Sequence, residues 1–391
     1  MRTATVAFAV FVSLGLLSGL VGLARLSAQL NPVLASAPLP TPVVVVPDVA
    51  TPQPTPVDIR APIRVIAQPT SNIAAMPTPI SQANPWWLLF VMNGDLWETD
   101  GTAPVQLTQE GSISQPALTD SGLAFTRRAR NASDIWLASA EQPPRPITRN
   151  SSPTVAQNHW ASEPVFLPGG SRLYVLGDFN KAETGAGDLA VWQLSLEQTR
   201  TVQITRPPAY GGGDQDVTVN PANPDQIIFT RYAYTGSTAQ LAEQLQWLDV
   251  MTSTLVPLTE LEHPSRQASF SPEGDQVAFI QQGPGSEEAL YVADVALSPK
   301  RAELDNARQV ATGLLANPAW APDGSSLTYV SGTGDRFQLW TIPVDRGADG
   351  TQRFGSARQL TTGPSIDATS RPVFMTQDQA DAVRRWLVVQ P

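Results

Sequence analysis

From Trp86 onward, apolar and polar positions fall into strand-length bursts separated by Gly, Pro, Asn and Asp, with no sustained helical period. The clearest unit spans residues 317–344, NPAWAPDGSSLTYVSGTGDRFQLWTIPV. It reads as three short strands: PAWA, a tight PDG turn, SLTYVS, a Gly-rich loop, then FQLWTIPV. Trp320, Leu327, Tyr329, Leu339, Trp340 and Ile342 are the residues it offers for burial, and a fourth strand, ARQLT, ends at Thr361. Four strands joined by local turns predict one antiparallel sheet.

The same unit recurs about every 50 residues, a period that marks propellers and solenoids. Candidate inner strands are QPALT from Gln115, EPVFL from Glu163, DVTVN from Asp216, QASFS from Gln267, NPAWA from Asn317 and RPVFM from Arg371. Most are followed by a turn (TDSG, LPGG, NPANPD, SPEG, APDG), two further strands, and a short strand ending in Thr148, Thr205, Thr259, Thr312 or Thr361. Short strands with Gly/Pro turns select a propeller. Residues 87–108 supply second, third and fourth strands without a first, with Asn93-Gly94 as a hairpin turn. Residues 371–375 supply a first strand without the rest. Joining the two predicts an all-β, six-bladed propeller of four-stranded blades, closed by pairing N- and C-terminal strands so that no edge is exposed at the seam. Residues 386–390 (WLVVQ) read as another strand after a helical turn in 378–385, either beside 87–92 or opening a seventh, incomplete blade.

Ahead of the repeats, residues 4–24 form a nearly unbroken apolar run ending before Arg25. A spanning helix needs about 20 residues, whereas a cleavable signal core is usually about 7–15. The reading is an uncleaved transmembrane anchor within residues 1–29, with cleavage at Leu26-Ser27-Ala28 as the alternative; either places the rest of the chain outside the cytoplasm. Residues 30–85 are rich in Pro, Thr, Val and Ala and read as an extended linker, since each Pro removes an amide donor and fixes φ. The stretches 43–46 and 64–67 are candidates for adding to a sheet edge. Residues 86–391 form the propeller.

Composition removes several classes of function. With 25 Lys and Arg against 35 Asp and Glu, net charge is −10, which excludes a general basic face for nucleic acid. There is no cysteine for a disulfide, a thiol nucleophile or a lipid-anchored N-terminus. Two histidines cannot make a His-rich metal site.

The pattern PxW/F-[SA]-P-[DE]-G-x-x-[ILV]-[AT]-[FY]…[IL]-[WY]-x-[ILV]…LT resembles the TolB-type (WD40-like) β-propeller repeat. It is well kept at 267–295 and 317–361, and degenerate at 115–148, 163–205 and 216–259. The resemblance covers residues 86–391 and implies an exported six-bladed propeller acting through protein–protein contacts. It does not extend to the α/β domain that precedes the propeller in TolB.

Propeller strands alternate direction, so fourth-to-first and second-to-third loops share one face. The residues opening the inner strands, Gln115, Glu163, Asp216, Gln267, Asn317 and Arg371, are expected around one mouth of the channel. They form either a binding ring or merely a wet strand start. His159 and His263 each fall four residues earlier, and Trp160, Tyr210, Asp214 and Arg266 join the same face. No local motif makes these residues catalytic, metal-binding or cofactor-binding. Long or basic loops at 127–133, 177–188 and 231–244 offer Arg127, Arg128, Arg231, Tyr232 and Tyr234 as contact residues. The resulting expectation is a membrane-tethered, non-enzymatic binding module for a protein or cell-envelope polymer. Alternatives are a lactonase- or glycosidase-like hydrolase using channel carboxylates, and a structural subunit of an envelope complex.

Overall fold

The second strand of a blade, as in 87–92, 122–128 and 172–177, is buried on both faces because each blade is sandwiched between two others. Leu88, Phe90 and Met92 of one strand pack against Ala316, Val330 and Leu339 on one side, while Leu89 and Val91 pack against Leu123, Phe125 and Trp136 on the other. The computed structural model describes residues 86–388 except 186, 198–199, 236–239, 284–286, 299–300, 334–335 and 348–351. The expected anchor, the linker and the two edge-strand candidates within it lie outside the described residues. Among those described, no helix is long and apolar enough to cross a membrane.

Six antiparallel sheets form the blades. Blades 1 to 5 begin with the inner strands Ile113–Thr119, Ala161–Phe166, Asp214–Val219, Ser265–Phe270 and Leu314–Trp320. Blade 6 joins the chain ends: Val373–Met375 is its inner strand, followed outward by Trp87–Met92, Asp95–Thr99 and Val105–Gln106. This is the predicted closure. Six apolar clusters among the described residues fill the six interfaces between neighbouring blades, so the core is a ring rather than a single centre.

The Thr that ends a repeat has a defined task. Thr108, Thr148, Thr205, Thr259 and Thr361 accept, through Oγ1, the backbone N–H of Leu96, Ile135, Val191, Leu245 and Leu339 at 2.8–3.1 Å. A buried amide where a third strand meets a short fourth one is thereby satisfied.

Two expectations about strands and loops are corrected. Residues 377–387 form one amphipathic helix, Gln377–Leu387, so Trp386 and Leu387 are its buried end rather than a seventh-blade strand. Thr376 and Gln379 close a capping box at its start. Ala380, Val383, Trp386 and Leu387 recur at helical spacing and seat it over the interface between blades 6 and 1. The long loop expected at 231–244 is instead a β-hairpin extension of blade 3, registered as far as Thr235↔Gln240.

Candidate functional site: a polar collar in the central channel

The six polar residues at the inner strands do come together, but inside the channel rather than at its mouth. Gln115, Glu163, Asp216 and Gln267 are each third in their strands, and Asn317 is fourth. At each of these five the pairing register slips, between Ser114/Ala117, Ser162/Val165, Gln215/Thr218, Arg266/Ser269 and Ala316/Ala319. The five residues have φ between +50° and +57°. Such bulges re-aim a side chain at a cost of about 1–2 kcal/mol for a non-glycine residue. Extended geometry is the norm before proline, and three of the five precede one, so sequence gave no warning of this.

Hydrogen bonds between blades offset the strain. Glu163 N–H donates to Gln115 Oε1 (3.2 Å), Asp216 N–H to Glu163 Oε2 (2.7 Å), and Asn317 N–H to Gln267 Oε1 (2.9 Å). Gln267 N–H donates to Thr230 Oγ1 of blade 3, and Gln115 N–H to Ser370 Oγ of the segment entering blade 6. Asn317 Nδ2 donates to the Ala368 carbonyl. Each blade thus holds the bulge of the next, and the result is a collar.

Arg371, the sixth member, behaves differently. Its Nη2 donates to the Ala268 carbonyl at 2.9 Å, which lies in blade 4, two blades away around the ring. The guanidinium therefore crosses the channel, within electrostatic reach of both Asp216 and Glu163. Burial pushes the Glu163 carboxyl up to about 8, with the charge of Asp216 adding to the rise. Asp216 is raised by burial against the opposing pull of Arg371. Burial also lowers Arg371. A fixed guanidinium supplies the positive charge that a cation would otherwise bring, and among the described residues no three His, Asp or Glu converge as a metal site.

Next to the collar lies a cavity of about 350 Å³. Gln115, Glu163, Asp216, Asn317 and Arg371 line one part; Leu118, Phe166, Phe270, Trp320, Pro322 and Phe374 line the rest. The second group lies at the far ends of the inner strands, toward the PDG-type turns. The repeat's best-kept turn, PDG at 322–324, thereby contributes Pro322 to the cavity.

On the opposite, loop-bearing face the predicted residues divide. Arg266 is a hub, bonding Glu288 at 2.6 Å, approaching Glu243 at 3.7 Å and donating to the Leu315 carbonyl. Tyr232 donates to Glu243 Oε1 at 3.0 Å. Glu243 and Glu288 are additions that sequence reasoning missed; their position, on strands flanking second-to-third turns, was the available signal. Asp214 is fully buried and held by Arg231 Nε and Nη2 at 2.6 and 2.9 Å, so neither is a contact residue. Arg127, expected on a basic loop, is buried against Glu110 (2.5 Å) and stacks on Trp136. Arg128 is exposed.

Tyr210 is 70% exposed, Tyr234 56%, Leu241 48% and Trp160 37%, large values for aromatic and aliphatic side chains. Tyr234 and Leu241 are cross-strand partners on the blade 3 hairpin. Gly212 packs against that hairpin, where a Cβ would meet Tyr232 Cβ at 2.9 Å, and Gly213 packs against Leu189, whose backbone a Cβ would meet at 2.7 Å. Close packing, rather than a phosphate cradle, explains these glycines.

The histidines are not brought together. His159 Nδ1 lies 3.0 Å from the Asp178 carbonyl in blade 2, beside the Lys181–Asp178 pair. His263 is exposed in the connection to blade 4, and its carbonyl accepts from Ser265 Oγ.

The fold resembles that of TolB from Acinetobacter baumannii, with 17% identity, coverage of 75% of this chain and 67% of that one, and a TM-score of 0.56. A putative TolB from Agrobacterium tumefaciens matches at 13% identity over 74% of this chain and 94% of that one, TM-score 0.49. Hydrazine synthase of Kuenenia stuttgartiensis matches at 10% identity over 76% and 47%, TM-score 0.51. No protein-family model and no curated protein matches the sequence. At these identities the likeness establishes a TolB-like propeller fold, and fold leaves function open.

Proposed function

We propose that the protein is a non-enzymatic binding module that presents the loop-bearing face of its propeller to a protein or cell-envelope polymer. The observation carrying this reading is the exposed group Tyr210, Tyr234 and Leu241, mounted on a β-hairpin and its packed glycine support. Aromatic side chains on rigid supports suit partner contact because little freedom is lost on binding. The Arg266–Glu243–Glu288 cluster beside them supplies charge to orient a partner. On this reading residues 4–24 tether the propeller outside the cytoplasm and 30–85 space it from the membrane. Crosslinking and capture from envelope fractions, using the full chain and a Tyr210→Ser/Tyr234→Ser/Leu241→Ser variant, test it. The expected result is a partner retained by the parent and lost by the variant; equal capture by both, or none by either, overturns it.

One observation favours a hydrolase as a second reading: Glu163, with its carboxyl raised by burial, adjoins Asp216 in the channel. A carboxyl group that holds its proton beside a second carboxyl group is a pairing that general acid/base hydrolysis uses. Against it, both Glu163 oxygens already accept hydrogen bonds, from Gln115 Nε2 and Asp216 N–H. Turnover of simple lactones or aryl glycosides that disappears in Glu163→Gln would favour the hydrolase over the binding module.

A further inference from the structure

The collar satisfies its own members with one exception. Among the described residues, the Arg371 guanidinium makes a single hydrogen bond, to Ala268, and no ion pair within 4.0 Å, while its Nε–H is shut from solvent without an acceptor. This group faces a cavity of about 350 Å³, within the size range of small-molecule sites. The cavity is two-sided: polar where Arg371, Glu163, Asp216 and Asn317 stand, and apolar where Phe166, Phe270, Trp320 and Phe374 stand.

We infer that this cavity binds a small monocarboxylate with an apolar or aromatic body, its carboxylate on the Arg371 guanidinium and its body between Phe166, Phe270, Trp320 and Phe374. A guanidinium presents a planar fork of donors that matches a carboxylate, and among the described residues its Nη1 donates to no acceptor and its Nη2 only to Ala268. The far wall offers rings and prolines, suited to an apolar body. An ammonium ligand is disfavoured because it would have to sit against Arg371.

The two acids decide how the site responds to pH. The charged groups facing Arg371 are Asp216 from blade 3 and Glu163 from blade 2, with Arg128 and Arg266 adding positive charge from the loop side. Each proton held by Glu163 or Asp216 removes a negative charge beside Arg371, so an incoming carboxylate is favoured while the pair holds protons. Once Glu163 ionises, the same carboxylate is repelled.

Calorimetric titration of the full chain with 3-phenylpropanoate, 3-phenylpropanamide and 3-phenylpropylamine tests the site. The carboxylate is expected to saturate, with the amide about tenfold weaker or worse and the amine undetected. Raising the pH from about 6.5 to about 9 should weaken carboxylate binding several-fold. Arg371→Gln should reduce it at least about tenfold. Equal binding of amide or amine, no saturable binding of the carboxylate up to about 5 mM, or unchanged affinity in Arg371→Gln each overturns the inference. Should Arg371→Gln fail to fold, the three analogues on the parent chain decide alone.

Discussion

Asp216 donates its backbone N–H to Glu163 Oε2 at 2.7 Å, so the bulge of blade 3 is fastened by the side chain of the bulged residue in blade 2. Gln115 does the same for Glu163, and Gln267 for Asn317. A residue that pays for a positive φ in its own strand thereby satisfies a donor in the next. The side-chain identity and the backbone strain at these positions are one feature.

Glu163 makes stability depend on pH with a definite sign. Burial, then the neighbouring Asp216 charge, raise its pKa to about 8 from an ordinary value of 4.5. Between these values the native chain holds a proton that the unfolded chain has released, so this contribution is complete below about pH 4.5 and is lost as pH rises through about 8. Asp216, also raised, acts in the same direction. Glu163→Gln cannot ionise and keeps one acceptor oxygen for two donors, which costs about 1 kcal/mol at low pH. Melting both proteins from pH 5 to 9 should show the variant less stable at pH 5 and gaining on the parent as pH rises. A difference that is flat with pH would show that Glu163 ionises in the folded chain as it does in water.

The repeat-closing Thr should be replaceable by Ser and not by Val. Thr361 Oγ1 accepts from Leu339 N–H at 2.9 Å and donates to Gln338 Oε1 at 2.9 Å, and it is buried. Val has the same shape but leaves that amide unpaired, at a cost of about 1–3 kcal/mol. Denaturant unfolding should place Thr361→Val below the parent by that amount and Thr361→Ser close to it. A neutral Thr361→Val would mean that the motif is kept for packing alone.

Blade number and ring closure were legible because a repeat reports the same physics six times: Trp87–Met92 and Val373–Met375 each lacked the strand the other supplied. The collar residues were legible as a polar set, since Gln115, Glu163, Asp216, Gln267, Asn317 and Arg371 share one repeat position. Their depth was not, because it depends on a register slip that Gln-Pro or Glu-Pro does not announce. Arg127 and Arg231 were misread as surface contacts for a related reason. Their carboxylate partners, Glu110 and Asp214, belong to the approach to the inner strand and meet them only once the blade is paired. Trp386 was misread because β-branched residues follow it, although Ala380, Val383 and Trp386 already carried a three-residue period.

The last prediction concerns how the closing helix is held. Arg384 Nε contacts Glu98 Oε1 at 2.5 Å and its guanidinium lies 4.6 Å over the Trp87 ring, joining the helix to two strands of blade 6. Glu98 is fully buried, its other oxygen has no partner among the described residues, and burial raises its pKa although Arg384 pulls the other way. Arg384→Met would leave that carboxyl buried and unpaired. Breaking a fully buried pair costs about 3–5 kcal/mol, and the 36% exposure of the Arg384 side chain argues for about 2. The loss should shrink as pH falls and Glu98 takes a proton, and grow as pH rises, where holding the charge inside is most costly. Adding Glu98→Gln should recover most of the loss, because it removes the uncompensated charge rather than restoring a bond. Urea unfolding of the parent, both single variants and the double gives the coupling directly. Strict additivity would overturn the pair as the latch and leave the Trp386 and Val383 packing to hold the helix unaided.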